Sequence, residues 1–300
     1  MRLTKRAQPV SDGSITFFTV EQADEFRRLV AGSFAAVGRD VDVHPDRIVD
    51  RSGATIGLWN IAALCVRADE ADWPQLIDEH VRLVATPSRE FSEVTEPELG
   101  AGLSLRLVDA ASVPDPDALG YARTVAPGLL EVLAVDLGDA VATPSREELA
   151  GRGTVSGLVA LGRANLRALL DSDSLRSGRV GENGTFTAVR GESLFTASLA
   201  LLLPETMQRF SGDDDWGPGV LVAVPTRHEL LYRPIDGADA RVALQRMLEA
   251  AFLGFREEVG SLSPDVYWVR KQKWVQVSSS SGGKPRVLRG TGLREVLAGF

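Results

Sequence analysis

The sequence VAVPTRHE at residues 222–229 closes a β-branched run with Pro225 and a small hydroxyl residue, Thr226. A close variant, VATPSRE, occurs at 84–90 and again at 141–147. β-branched residues favour strands, whereas Pro and small hydroxyl residues favour their ends, so the three segments predict three strand ends of similar chemistry. Duplication of an α+β unit would explain the recurrence. Coincidence would also explain it, because Pro and Ser often terminate strands.

The chain around residues 222–229 combines strands with long amphipathic helices. Residues 220–224 have no polar break, which suits a central strand, and residues 230–232 can return as its hairpin partner. Apolar residues then follow at helical spacing from Asp236 to Val259. Strands at 266–269 and 274–277, around a Lys-rich turn, complete the body of the predicted fold.

The rest of the chain repeats these two patterns. Helices are predicted at 21–37, 72–84, 146–170 and 193–210, and strands at 41–44, 55–59, 103–108, 129–137, 141–143 and 184–189. Ser145 and Glu148 have the spacing of a capping box at a helix start. Because hairpins dominate, the predicted class is α+β, with mainly antiparallel sheets and β-hairpins packed against long amphipathic helices, and room for two similar subdomains.

Length and composition predict the domain organisation. Three hundred residues exceed one typical domain of about 150 residues, so we expect an N-terminal α+β subdomain at 1–125 and a C-terminal one at 126–277. The composition changes abruptly to SSSSGGKP at 278–285. Ser/Gly-rich segments are typical of linkers, so residues 278–300 are predicted to form a flexible tail outside the core.

Charge, hydropathy and cysteine content exclude several classes. The net charge is −8 and the 33 Lys and Arg are dispersed, so a nucleic-acid partner is not expected. We find neither an apolar stretch behind the N-terminus nor eighteen consecutive apolar residues, so no signal peptide, no membrane span and a cytoplasmic location are expected. Cys65 is the single cysteine, which excludes an internal disulfide and favours a buried inert thiol over a catalytic one.

No local motif specifies a reaction, a metal or a cofactor. The histidines lie far apart, and none has a second ligand at zinc spacing. His80 lies on the apolar stripe of its helix, where a packed core histidine is the favoured interpretation. Residues 213–215, all Asp, could hold a hard cation, but a solvated loop is the simpler interpretation. The glycines at 151–157 miss the spacing of a phosphate loop. We therefore predict no catalytic residue, no metal and no cofactor.

Three polar residues are candidates for contact with a ligand or partner: Asn165, Arg167 and Arg227. Asn165 lies beside the apolar face of its helix, where an unpaired amide costs about 1–3 kcal/mol. A structural hydrogen bond to a neighbouring strand end and a ligand contact would both satisfy it, and the first is favoured.

Several segments resemble the YtpQ-like family of uncharacterised bacterial proteins. They are ANLRAL at 164–169, the passage from Phe195 through Ala197 and Ser198 to residues 201–202, VAVPTRHELL at 222–231, and VLAVDLGD at 132–139. The resemblance covers residues 40–277. It implies relatedness and a bacterial origin, and it implies no particular reaction.

These observations favour a non-enzymatic protein-binding or regulatory module that offers strand edges or helix faces to another protein. The alternative is a small-ligand-binding protein or an enzyme whose polar groups converge only in three dimensions. A structural scaffold is a third hypothesis, which an exposed apolar patch on residues 193–210 would favour.

Overall fold

The computed structural model describes residues 12–15, 18–51, 55–85, 91–113, 115–138, 141–181, 185–212, 216–237, 239–280 and 283–300. The chain forms two compact units. The N-terminal unit comprises residues 1–88 with 257–259, and the C-terminal unit comprises residues 89–256 with 260–300. The boundary near residue 88 differs from the one predicted near residue 125, because the strand at 103–109 pairs with the strand at 129–136 across that predicted boundary.

The N-terminal unit packs helices on a small antiparallel sheet of order β1-β2-β3. Its elements are α1 (Val20–Ala36), β1 (Val41–Val43), β2 (Arg47–Asp50), β3 (Thr55–Gly57), α2 (Trp59–Cys65) and α3 (Trp73–Ala85). The predicted helices and outer strands are confirmed. β2 was not among the predicted strands, and Trp59 begins a helix instead of ending a strand.

Local sequence explains where α1 begins and which face it buries. The Thr19 hydroxyl accepts from the Gln22 amide (3.2 Å), and the Gln22 side chain accepts from the Thr19 amide (3.0 Å), a reciprocal capping box. Helical spacing places Phe26, Val30 and Phe34 on one buried face. That face contributes to the core of the unit.

The C-terminal unit begins with a sheet of order β4-β6-β5, to which β7 adds beside β6. The elements are α4 (Glu96–Gly102), β4 (Leu103–Asp109), β5 (Arg123–Ala126), β6 (Leu129–Asp136), β7 (Val141–Ala142), α5 (Arg146–Leu149) and α6 (Val155–Ala168). The capping box of Ser145 and Glu148 is confirmed. The single helix predicted from 146 to 170 is wrong, because Gly151 and Gly153 adopt positive φ angles and separate α5 from α6.

A second sheet, entirely antiparallel, has six strands in the order β13-β12-β10-β11-β9-β8. Its strands and adjoining helices are β8 (Arg176–Val180), β9 (Phe186–Arg190), α7 (Leu203–Ser211), β10 (Val220–Thr226), β11 (Glu229–Pro234), α8 (Ala240–Glu257), β12 (Val266–Arg270) and β13 (Lys273–Gln276). β10 is buried throughout and lies between β11 and β12, which confirms the predicted central strand. Where one helix was predicted at 193–210, a 3-10 helix (Thr196–Leu202) leads into α7.

Alternation along β10 divides the packing of the six-stranded sheet between its two faces. Val220, Val222 and Val224 join a core with the four-stranded sheet, α6 and the 3-10 helix. Leu221 and Ala223 point into a second core beneath α8. Both faces are therefore covered, which explains why this strand has no polar position.

The segment after Val277 is part of the fold wherever the structure describes it. It contains β14 (Ser278–Ser279), β15 (Arg286–Val287) and α9 (Leu293–Ala298). Ser278 is fully buried, and Leu293 and Leu297 join the core beneath α8. The flexible tail predicted for 278–300 is therefore not what the described residues form, because apolar side chains of α9 anchor it.

Together these elements define an α+β protein with antiparallel sheets, as predicted. The three strand-end segments have different outcomes. Val84 and Ala85 of the first segment end helix α3 and not a strand, and its residues 86–90 lie outside the described residues. The second ends β7 and starts α5, and the third forms the β10–β11 hairpin.

Candidate functional site

Arg227 and His228 are the two residues that join β10 to β11. Backbone hydrogen bonds from three other segments hold this turn. The Arg227 amide donates to the Gly260 carbonyl (2.8 Å), and the Arg227 carbonyl accepts from the Ala197 amide (3.0 Å). The His228 carbonyl accepts from the Gly191 amide (3.1 Å). The hairpin tip is therefore built into the fold and does not project freely from it.

The imidazole of His228 connects the Gly191 backbone to the Arg227 guanidinium. Its Nδ1 lies 3.2 Å from the Gly191 carbonyl oxygen, which can only accept, so the geometry assigns the proton to Nδ1. Nε2 then accepts from Nε of Arg227 at 3.1 Å. Burial and the Arg227 charge lower the pKa of His228 below its ordinary 6.5, against the opposing effect of backbone hydrogen bonds. A neutral His228 thus orients the Arg227 guanidinium.

The aliphatic stem of Arg227 packs over Gly260. This glycine has φ +80°, and a Cβ there would lie 2.7 Å from both Cγ and Nε of Arg227. Position 260 therefore requires a glycine for two reasons, the backbone conformation and the close approach of the arginine.

A second guanidinium, that of Arg106, shares this environment. Arg106 lies in the middle of β4, and its Nε is buried without a hydrogen-bond partner among the described residues. Burial, and next the charge of Arg227, lower the pKa of Arg106. An arginine side chain nevertheless stays protonated at physiological pH. Two cations therefore lie within electrostatic range of each other in a partly buried place.

Adjacent residues of the 3-10 helix connect β4 to the hairpin tip. The Ser198 hydroxyl accepts from the Leu107 amide of β4 (2.9 Å). The preceding Ala197 amide donates to the Arg227 carbonyl. Because β4 and the hairpin tip are both hydrogen-bonded to the adjacent residues Ala197 and Ser198, the fold fixes the placement of the two backbone segments that carry Arg106 and Arg227.

Two carboxylates near the arginines in sequence or register form ion pairs with other residues. Glu229, which follows His228, forms an ion pair with Arg190 (2.5 Å). Glu131, on the strand beside β4, forms an ion pair with Arg123 (2.5 Å). Among the described residues, no carboxylate forms an ion pair with Arg106 or Arg227. We refer to Arg106, Arg227 and His228 as the guanidinium site.

The three residues selected from the sequence have separate contacts. Asn165 donates through Nδ2 to the carbonyls of Gly100 (2.9 Å) and Leu103 (2.8 Å), at the start of β4. Arg167 forms an exposed ion pair with Glu205 (2.9 Å). Arg227 belongs to the guanidinium site.

Sequence reasoning missed Arg106 and His228 as neighbours of Arg227. The one sequence signal for Arg106 is its place in LSLRLV at 103–108, where a charged residue interrupts an apolar strand. Alternation alone assigns such a position to solvent. His228 is next to Arg227 in the chain, but a ring directed back onto its neighbour has no signature in the sequence.

Other types of site have less support in the part of the chain that the structure describes. No group of three or more His, Cys, Asp or Glu side chains there is placed to hold a metal ion, and the aspartates at 213–215 lie outside it. Within the same ranges, no helix has the length and apolar character needed to cross a membrane.

No protein-family model matches the chain, and comparisons with curated proteins and with solved structures find no match. The resemblance to the YtpQ-like family therefore stays a prediction. Functional conclusions rest on the chemistry of the guanidinium site.

Proposed function

We propose that this protein binds an anionic ligand at the guanidinium site. The observation that supports the proposal is the buried Nε of Arg106, which has no hydrogen-bond partner among the described residues, while burial and next the charge of Arg227 lower the pKa of this side chain. Burying an unpaired charge is costly, and an anion bound to the terminal amino groups of Arg106 would supply the missing charge. Arginine is also the side chain best suited to oxyanions, because its planar fork donates several hydrogen bonds at once.

The proposal is one of binding and not of catalysis. The guanidinium site supplies positive charge and donors, and its histidine is occupied by Gly191 and Arg227. This arrangement corresponds to the small-ligand alternative drawn from the sequence, with Arg227 retained and Arg106 added. A cytoplasmic location is part of the same proposal, and the buried thiol of Cys65 is compatible with it.

Thermal unfolding with inorganic phosphate, sulfate and acetate tests the proposal, because a ligand that binds the folded state raises Tm. Arg106→Met removes the unpaired charge and keeps a long side chain. We expect this variant to be at least as stable as the wild type without anion, and to show a smaller increase in Tm with anion, because only the general stabilisation by excluded sulfate and phosphate remains. Arg167→Met, which removes an exposed arginine, should retain the increase. An equal increase in both variants, or none in the wild type, would overturn the proposal.

A second candidate function, binding of another protein by strand addition, is favoured by β8. This strand ends the six-stranded sheet, and Arg176, Ser177, Gly178 and Arg179 are all exposed. Arg176 and Arg179 also place basic side chains along this exposed strand, to which an acidic strand would be complementary. The partner would therefore be an acidic extended segment of another protein.

A labelled peptide of alternating Glu and Val tests strand addition. Ser177→Pro removes a backbone donor that the strand register directs away from β9, at the open edge of β8, and should weaken peptide binding, whereas Arg246→Glu on α8 provides a surface control. Equal binding by wild type and Ser177→Pro would contradict this second candidate.

A further inference from the structure

The β12–β13 hairpin and the turn formed by residues 216–219 line an open pocket of about 790 Å³. Small-molecule sites commonly have volumes of about 300–1,000 Å³. We refer to this space, bordered by residues 216–219 and 270–273, as the hairpin pocket. It shares no residue with the guanidinium site. We propose that the hairpin pocket binds an organic phosphate, whose phosphate group contacts the cations of the hairpin and whose apolar body packs on the 216–219 turn.

Three cations border the hairpin pocket. Arg270, Lys271 and Lys273 are exposed, and among the described residues their side chains have neither a hydrogen-bond acceptor nor a carboxylate in an ion pair. A concave site lined by charges of one sign raises the local concentration of the opposite ion, here in a protein whose net charge is −8. A phosphate monoester matches this charge, because its second pKa of about 6 makes it close to a dianion at neutral pH.

The hairpin places its cations at a conformational cost. Arg270 lies opposite Lys273 in the register, so Lys271 and Gln272 form a two-residue turn, with φ angles of +46° and +62°. They are the two non-glycine residues with positive φ among the described residues. Turns of this type favour Asn-Gly, because most other side chains are strained there. Such strain is concentrated at ligand-binding segments, so a lysine at position 271 points to a function of its charge.

Trp268 connects the two walls of the hairpin pocket. Its indole donates to the Pro218 carbonyl (3.1 Å), in a turn that the Gly219 amide closes by donating to the Trp216 carbonyl (2.7 Å). Gly219, with φ +133°, permits this approach, because a Cβ there would collide with the indole. On the hairpin side, the Arg270 guanidinium lies 4.5 Å from the centre of the Trp268 ring. One buried side chain therefore holds the turn and orients a cation at the pocket.

The 216–219 turn gives the hairpin pocket an apolar wall. Trp216 and Pro218 are half-buried and line the pocket, and Trp216 also packs against the core of its unit. An inorganic ion would contact the cations and leave this wall in water. A ligand that joins an apolar or planar group to the phosphate would cover both, because the burial of apolar surface adds to the charge-assisted hydrogen bonds.

Calorimetry at pH 7.5 and constant ionic strength tests both parts of the ligand. The probes are 1-naphthyl phosphate, inorganic phosphate, which lacks the apolar body, and 1-naphthol, which lacks the charge. We expect 1-naphthyl phosphate to bind at least about tenfold more tightly than either of the others. Equally tight binding of inorganic phosphate or of 1-naphthol, or no binding of 1-naphthyl phosphate, would overturn the proposal.

Lysine variants test whether the probe occupies the hairpin pocket. Lys271→Gln and Lys273→Gln remove one charge each and should weaken 1-naphthyl phosphate binding about tenfold, which corresponds to about one charge-assisted hydrogen bond. Lys284→Gln is the matched control, because Lys284 is also exposed and lies outside the pocket, and it should keep the wild-type affinity. Substitution of exposed side chains seldom prevents folding. Wild-type affinity in both pocket variants would overturn the proposal.

A double variant separates the strain of the turn from its charge. Lys271→Asn combined with Gln272→Gly introduces the preferred turn sequence and removes one cation. We expect this variant to have a higher Tm than the wild type and a lower affinity for 1-naphthyl phosphate. Wild-type affinity in the double variant would show that the side chains of the turn do not serve the ligand, and would overturn the proposal.

Arg106→Met distinguishes the hairpin pocket from the guanidinium site. Weaker binding of 1-naphthyl phosphate in the two lysine variants, with wild-type affinity in Arg106→Met, would support the hairpin pocket whether or not the guanidinium site binds an anion. Loss of binding in Arg106→Met alone would place the probe at the guanidinium site, which would overturn the present proposal and support the first.

Discussion

Nε of Arg227 donates to Nε2 of His228 over 3.1 Å, so the orientation of a cation depends on an imidazole that remains neutral. The two side chains are neighbours in the chain and occupy a turn between two buried strands. Protonation of the imidazole would replace the acceptor with a donor and place another positive charge beside Arg227. Arg190 and Glu229, which lie near this turn, form an ion pair with each other.

Folding stability should therefore depend on the titration of His228. Its folded pKa lies below 6.5, so the unfolded chain binds more protons in the interval between the two values. The contribution to stability is full above about pH 6.5 and falls as the pH decreases through this interval. Urea unfolding at a series of pH values should show a weaker dependence in His228→Gln, and an NMR titration that gives His228 a pKa at or above 6.5 would contradict the assignment.

The N-terminal unit should show a similar dependence through His80. Apolar residues including Ile77, Val81 and Phe34 surround the same small pocket, and burial lowers the pKa of His80. The sign is the same, because protonation is easier in the unfolded chain, so stability decreases below about pH 6.5. His80→Leu should remove this acid sensitivity, measured as the change in unfolding free energy with pH. If His80→Leu keeps the wild-type dependence of the unfolding free energy on pH, His80 is not the source of that dependence.

Gly162 should resist substitution although it lies within a helix. A Cβ there would approach the Ser104 carbonyl carbon (3.1 Å) and the Leu105 nitrogen (3.2 Å) of β4. We expect Gly162→Ala to destabilise the protein by about 1–3 kcal/mol in chemical denaturation. Gly32→Ala in α1 is the matched control, because nothing lies within 4 Å of its new methyl group. This control should stabilise by about 0.5–1 kcal/mol, and equal effects of the two substitutions would contradict the packing argument.

Cys65 should be inert towards alkylating reagents while the protein is folded. The residue is fully buried, and desolvation raises the pKa of its thiol to about 12. Reaction requires the thiolate, so mass spectrometry after iodoacetamide treatment should detect modification only once denaturant unfolds the N-terminal unit. Rapid modification without denaturant would show that the thiol is accessible.

The C-terminal helix α9 should contribute to global stability. Leu293 is 1% exposed in the core beneath α8, whereas Phe300 is 53% exposed. Leu293→Ala should cost about 2–5 kcal/mol of unfolding free energy. Phe300→Ala should stay within about 0.5 kcal/mol of the wild type. If Leu293→Ala were as stable as the wild type, α9 would not contribute to stability, as the flexible tail predicted from composition implies.

Periodicity predicted most of the long elements because it reports directly which side chains face a core. The apolar spacing in α1, α3 and α8 and the unbroken run in β10 all correspond to observed elements. Periodicity did not predict the break between α5 and α6, where the backbone conformation of Gly151 and Gly153 determines the structure. It also missed the strands that are short or polar, β2 and β8. In β8 most side chains are exposed, so its sequence has no apolar alternation that would indicate a strand.

By itself, the sequence determined the α+β class, the central strand at 220–224 and the hairpin after it, because those follow from local propensity and side-chain alternation. Only the tertiary structure determined that Arg106 lies within the electrostatic range of Arg227. These residues are far apart in the chain, and their proximity depends on how β4 and the 3-10 helix pack against the hairpin tip. An arginine in an alternating strand has the same sequence pattern whether its side chain contacts solvent or lies near a second, partly buried cation. Long-range packing alone therefore determines the site.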